Sequence, residues 1–229
     1  MSFGRRQPHP QRAAPAPPLQ PAPAAAPGEN PQRCANAAAD IVAMLLAAYT
    51  VQHRLQHDSA IAAAAALTGE FALRSTGVPI PEHGWMPGDA ANDVLFAGAP
   101  DGRATAWMFM MYAALEAGVA EYDLPRIEAL AAAFAQTPDA VMLSLSVQEK
   151  RVPRELPQNV GPRFRHRVIA IADAHDLTLR EITVALGAAT GQLIIRTQHE
   201  FPPQMAVTLA AETMLAVARM APLAEPMMA

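Results

Sequence analysis

Apolar residues return at helical spacing through residues 34–57, where Ile41, Met44, Leu45, Ala48, Tyr49 and Leu55 mostly follow the i, i+3, i+4, i+7 pattern. The spacing predicts a first helix there. Asp58 or Ser59 suits the cap of a second, which an Ala-rich run carries to a stop at Gly77. Pro79, Pro81, Gly84, Pro87 and Gly88 predict a loop over 78–93. A short helix around 90–97 precedes a turn at Pro100-Asp101-Gly102, and a strongly apolar helix over 104–117 ends at Gly118. Asp123-Leu124-Pro125 opens another, with proline at the first helical position, to about Gln136. Thr137-Pro138 repeats that opening; residues 141–147 also alternate as a strand would, and helix is preferred. Pro153, Pro157 and Pro162 predict an irregular connector over 150–162. A helix over 163–175 follows, Thr178 caps the next, Pro202-Pro203 stop it, and 204–220 form the last helix.

One phrase occurs twice: Thr68-Gly69-Glu70-Phe71-Ala72-Leu73-Arg74-Ser75 and Thr190-Gly191-Gln192-Leu193-Ile194-Ile195-Arg196-Thr197. Each copy follows an Ala-rich stretch and precedes a proline pair, and the match extends to His53 with His175 and Pro81 with Pro203. The reading is a duplication, with halves 34–118 and 156–221 packed as related helical units about a pseudo-twofold axis. Glycine in an apolar helix lets a neighbouring backbone approach, and threonine bonds back to the preceding turn. Thr68, Gly69, Arg74, Thr190, Gly191 and Arg196 are accordingly candidate helix-crossing or interaction residues.

Composition sharpens the class. Hydrophobic residues make up 52% of 229 but aromatics only 5%, so alanine, leucine, valine and methionine must fill the core. Alanine favours helix most, whereas strand-favouring residues are sparse. The expected fold is all-α, a compact multi-helix bundle over 34–221, with a frayed end at 222–229. Residues 1–33 hold nine of the 22 prolines and read as a disordered Pro/Ala-rich tail. Ala13–Pro18 there also resembles a ligand for aromatic grooves.

Charge divides the chain. The net charge is −4, but residues 1–33 carry +3 from Arg5, Arg6, Arg12 and Arg33 against Glu29, which leaves −7 for the remainder. Within it Arg151, Arg154, Arg163, Arg165 and Arg167 cluster as candidate anion-facing groups. A single cysteine, Cys34, cannot form an internal disulfide, and no apolar run reaches the ~20 residues of a membrane span. A cytoplasmic setting without a membrane partner is expected.

Chemistry-bearing motifs are few. No phosphate-binding or dinucleotide loop, Gly-x-Ser-x-Gly or paired Cys-x-x-Cys occurs, so no cofactor and no catalytic residue is assigned. His53 and His57 stand at i, i+4, and Asp173, His175 and Asp176 cluster, yet neither group suggests a third metal ligand. Residues 177–197 have the spacing of a helix-turn-helix, with Gly187 at the turn and Thr190, Gln192, Arg196 and Gln198 facing DNA. The acidic remainder opposes that reading. The preferred expectation is a non-enzymatic helical interaction or scaffold module with a protein partner, which includes a second copy of the chain. A helix-turn-helix regulator and a small helical enzyme are the alternatives.

Overall fold

A computed structural model describes residues 30–80, 91–96, 104–136, 146 and 152–223. Helices dominate it, as the composition requires. Helix α1 (Pro31–Tyr49) begins where the Asn30 carboxamide accepts from the amides of Gln32 and Arg33, at 3.0 and 3.4 Å, with proline at the first position. It starts three residues before the expected boundary and ends earlier. Thr50–Val51 (β1) and Arg54–Leu55 (β2) form a two-stranded hairpin in which Thr50 faces Leu55 and Val51 faces Arg54. The turn residues Gln52 and His53 have φ of 49° and 62°, the left-handed pair that a tight hairpin demands. His53 and His57 therefore do not share a helix face, and the spacing that suggested chelation has no helix beneath it.

Helix α2 (His57–Ser75) carries the first Thr-Gly phrase and is the centre of the molecule: every residue from Ser59 to Leu73 is buried. Gly77, at φ 71°, follows its end where a left-handed residue is needed. Helix α3 (Asn92–Leu95) is a single turn. Helix α4 (Ala106–Glu116) is capped by Thr105, whose hydroxyl accepts from the Met108 amide at 3.3 Å, and Gly118 at φ 90° lies just beyond its end. After a 3₁₀ turn at Glu121–Asp123 comes α5 (Ile127–Gln136). Pro125 thus stands outside that helix rather than at its first position. The Thr137-Pro138 signal and the strand-or-helix question over 141–147 fall outside the described residues, Ser146 excepted. Residues 1–29 and 224–229, on which the expected tail and frayed end chiefly fall, lie outside them too.

The connector read from prolines is shorter than expected. Helix α6 (Pro157–Ala174) starts at Pro157 and includes Pro162. Pro162 has no amide to offer the Gln158 carbonyl, but burial of Val160, Phe164 and Val168 along one stripe holds the helix through that gap. Helix α7 (Leu179–Thr197) opens on a capping box: the Thr178 hydroxyl accepts from the Glu181 amide, and the Glu181 carboxylate accepts from the Thr178 amide at 2.9 Å. It then runs unbroken. The turn expected at Gly187 is absent, so residues 177–197 do not form a helix-turn-helix. Helix α8 (Pro203–Val217) has Pro203 at its first position, so the second proline pair starts a helix rather than merely stopping one.

The packing is crossed. The α2 helix lies against α7, α8 and α6, while α7 lies against α2, α4 and α1. One core joins Ile41 and Leu45 of α1, Leu67 and Phe71 of α2, Met110 of α4, Phe164 of α6, Leu186 and Leu193 of α7, and Leu209 of α8. Each fully buried Leu or Phe contributes about 1.5–3 kcal/mol, and the alanines between them add less area but admit closer helices.

Candidate functional site

The two Thr-Gly phrases meet at the centre. Thr68 and Thr190 place their hydroxyl oxygens 3.4 Å apart, and α2 and α7 begin and end at positions 122 residues apart. Each hydroxyl donates to the carbonyl of its own preceding turn, Thr68 to Ala64 at 2.8 Å and Thr190 to Leu186 at 2.9 Å. A hydroxyl has one proton, so their mutual contact is chiefly packing. A Cβ on Gly69 would collide with the Met214 carbonyl of α8. One on Gly191 would stand 2.9 Å from the Phe109 carbonyl and 3.0 Å from the Ala113 Cβ of α4. Gly187, one turn earlier, is closed off by Ala106. Both phrase glycines are places where another helix crosses.

The third position of the phrase separates the copies. Glu70 is buried, its carboxylate accepting from Arg74 Nε at 2.7 Å and from Arg165 Nε at 2.5 Å. Arg165 also donates to the Leu223 carbonyl at 2.8 Å. This candidate anion-facing arginine lies 7% exposed inside the fold, held to a carboxylate of the same chain. Arg163 donates to Glu155 at 2.9 Å and lies over the rings of Tyr49 and Phe164, at 5.3 and 4.7 Å from their centroids. Tyr49 donates to the same carboxylate at 2.7 Å. Burial first, then the Glu155 hydrogen bond and charge, push the Tyr49 phenol well above its ordinary range. Arg154, Arg167 and Arg196 are exposed, Arg74 is half-buried, and Arg151 falls outside the described residues.

At the corresponding place in the second phrase, Gln192 has no buried arginine partner among the described residues and borders a groove of about 490 Å³. Small residues line much of it: Ala35 of α1, Ala113 of α4, and Ala188 and Gly191 of α7. Val184 and Ile195 add apolar wall, and Pro31 and Cys34 bring in the first turn of α1. On the α4 side stand Phe109 and Tyr112, each 38% exposed and one helical turn apart. Glu116 contributes the carboxylate. Cys34 points its sulfur toward the Glu181 carbonyl, 3.8 Å away. A polar cleft of about 430 Å³ lies beside the hairpin, lined by Arg54, His57, Asp58 and Arg154 among others.

Two histidines are each engaged by one carboxylate. His175 Nε2 is 2.7 Å from Asp40, and His57 Nε2 is 2.8 Å from Glu200. Among the described residues no group of three His, Cys, Asp or Glu side chains is placed to hold a metal, and no helix is long and apolar enough to cross a membrane. Sequence reasoning missed the groove. Its aromatics belong to a helix so uniformly apolar that no face of it stands out in the pattern. Comparison with protein-family models, with curated proteins and with solved structures finds no match to this chain.

Proposed function

We propose that this protein is a non-enzymatic helical module that binds an extended Pro/Ala-rich polypeptide segment in the groove between α1, α4 and α7. The observation that carries the reading is the pair Phe109 and Tyr112, left half-exposed above small residues beside a groove of about 490 Å³. Extended proline-rich segments dock on aromatic walls, because their rings pack flat against aromatic faces and their backbone is already ordered. Small side chains line such a site better than large ones, since they leave depth without a cavity.

In the same reading the chain is a duplication whose halves pack about a pseudo-twofold axis. Support comes from the equal spacing of α2 and α7 and from the exchange of neighbours, α8 covering α2 where α4 covers α7. Duplication frees one copy to diverge. Where the first copy closes its third position with a buried ion pair, the second leaves Gln192 beside an open groove.

The test is fluorescence polarisation with labelled Pro/Ala-rich peptides, taken to millimolar protein. Saturable binding is expected, weakened about tenfold by Tyr112→Ala, since losing one aromatic anchor is worth about 1.4 kcal/mol. Binding that ignores Tyr112→Ala, or none up to millimolar concentration, would overturn the assignment.

A further inference from the structure

The described chain begins at the edge of this groove. Asn30 caps α1, and Pro31, the first residue of that helix, lines the groove itself. Whatever precedes residue 30 therefore leaves the fold at the site. We infer that the groove's resident occupant is the Pro/Ala stretch at residues 13–27 of the same chain. This rests on the reading of the groove as a receptor for extended segments, and it names the segment.

Chemistry and reach agree. The stretch alternates proline and alanine, including Pro15, Pro17 and Pro18, so it offers flat rings to Phe109 and Tyr112 and small side chains to Ala113 and Gly191. Residues 13–18 stand about 13–18 positions before Pro31; at about 3.1 Å per extended residue the intervening chain reaches roughly 40 Å, ample for doubling back. Charge has the right sign. Arg5, Arg6 and Arg12 precede or adjoin the stretch, while Glu116 lines the groove on a body that carries −7 beyond residue 33.

Tethering then decides between candidates. A short flexible tether holds its ligand at millimolar effective concentration, so even a millimolar contact is about half formed. A second copy of the chain, or a foreign segment of equal affinity, would need that concentration free in solution. The self-segment is consequently the default ligand, and a true partner must displace it.

The experiment uses the full chain with a photo-reactive benzoylphenylalanine in place of Tyr112 or, separately, Phe109. The same group in place of Tyr122, which is 88% exposed on the 3₁₀ turn, serves as control. Irradiation is expected to join positions 109 and 112 to residues 1–29 at monomer mass, about tenfold more than from position 122, as a millimolar local concentration implies. Links at dimer mass to another copy, or no link to residues 1–29, would overturn the inference. Adding a synthetic peptide of residues 13–27 separates the two claims. If that peptide cross-links in trans while the tail does not in cis, the binding module stands and self-occupancy falls; if neither does, both fall. The otherwise unaltered chain gives a second readout, because Cys34 lines the groove. Replacing Pro15, Pro17 and Pro18 with Gly is expected to speed Cys34 alkylation severalfold, and an unchanged rate would also count as refutation.

Discussion

At Gly69 the α8 backbone comes so close that one methyl group on α2 would strike the Met214 carbonyl. Backbone cannot swing aside as a long side chain can, so the strain spreads through two buried helices. Gly69→Ala should therefore cost about 1–3 kcal/mol by overpacking, even though alanine is the better helix former by about 1 kcal/mol. Chemical denaturation of the two proteins checks it, and equal midpoints would show that α8 can shift. Gly77 makes a useful contrast: nothing lies within 4 Å of its missing Cβ, and its φ of 71° alone demands glycine. Glu70 belongs at this scale too. Its carboxylate is squeezed between two arginines and against Gly161, where any Cβ would strike it. The pair need not stabilise the fold beyond an apolar replacement, but removing one partner alone leaves a buried charge uncompensated.

Helix ends were the part of the fold most legible in the sequence, because capping is short-range chemistry. Thr178, Gly77 and Gly118 could each be read from a few residues. The Thr178 cap supports a direct prediction: Thr178→Ala should lower stability by about 1 kcal/mol, seen as a lowered melting temperature, while α7 stays helical by circular dichroism. Where reading failed, the deciding partner was distant in sequence. Gly187 carries a local turn signal, yet it accommodates Ala106 of α4, some eighty residues earlier. Pro162 signals a break, but the stripe of Val160, Phe164 and Val168 faces a core that the local sequence does not reveal. The hairpin at 50–55 escaped notice because Gln52 and His53 occupy left-handed positions usually marked by asparagine or glycine. The ion pair at Glu70 was hidden because its deciding partner, Arg165, lies 95 residues away in the chain. Glutamate and glutamine look interchangeable in the repeated phrase, and only the presence of Arg165 beside one of them makes them different.

For the molecule as a whole, the crossed arrangement means that neither half completes its own core. The α2 helix is roofed by α8 and flanked by α6, while α4 and α1 lie on α7. A chain cut in the segment between α5 and α6 should give two fragments, each with little stable helix alone. Mixed at equal amounts they should regain the helicity of the intact protein, since the missing contacts are all between them. Circular dichroism of each fragment and of the mixture is the measurement; a cooperative melting transition in either isolated fragment would show a self-sufficient half.

Burial of α2 on every side also imposes an order in time. Its last residue, Ser75, leaves the ribosome 142 residues before Val217, the end of the helix that roofs it. At about 5–20 residues per second that is a wait of roughly 7–28 s. Throughout it, a helix with no face meant for water must remain clear of other nascent chains.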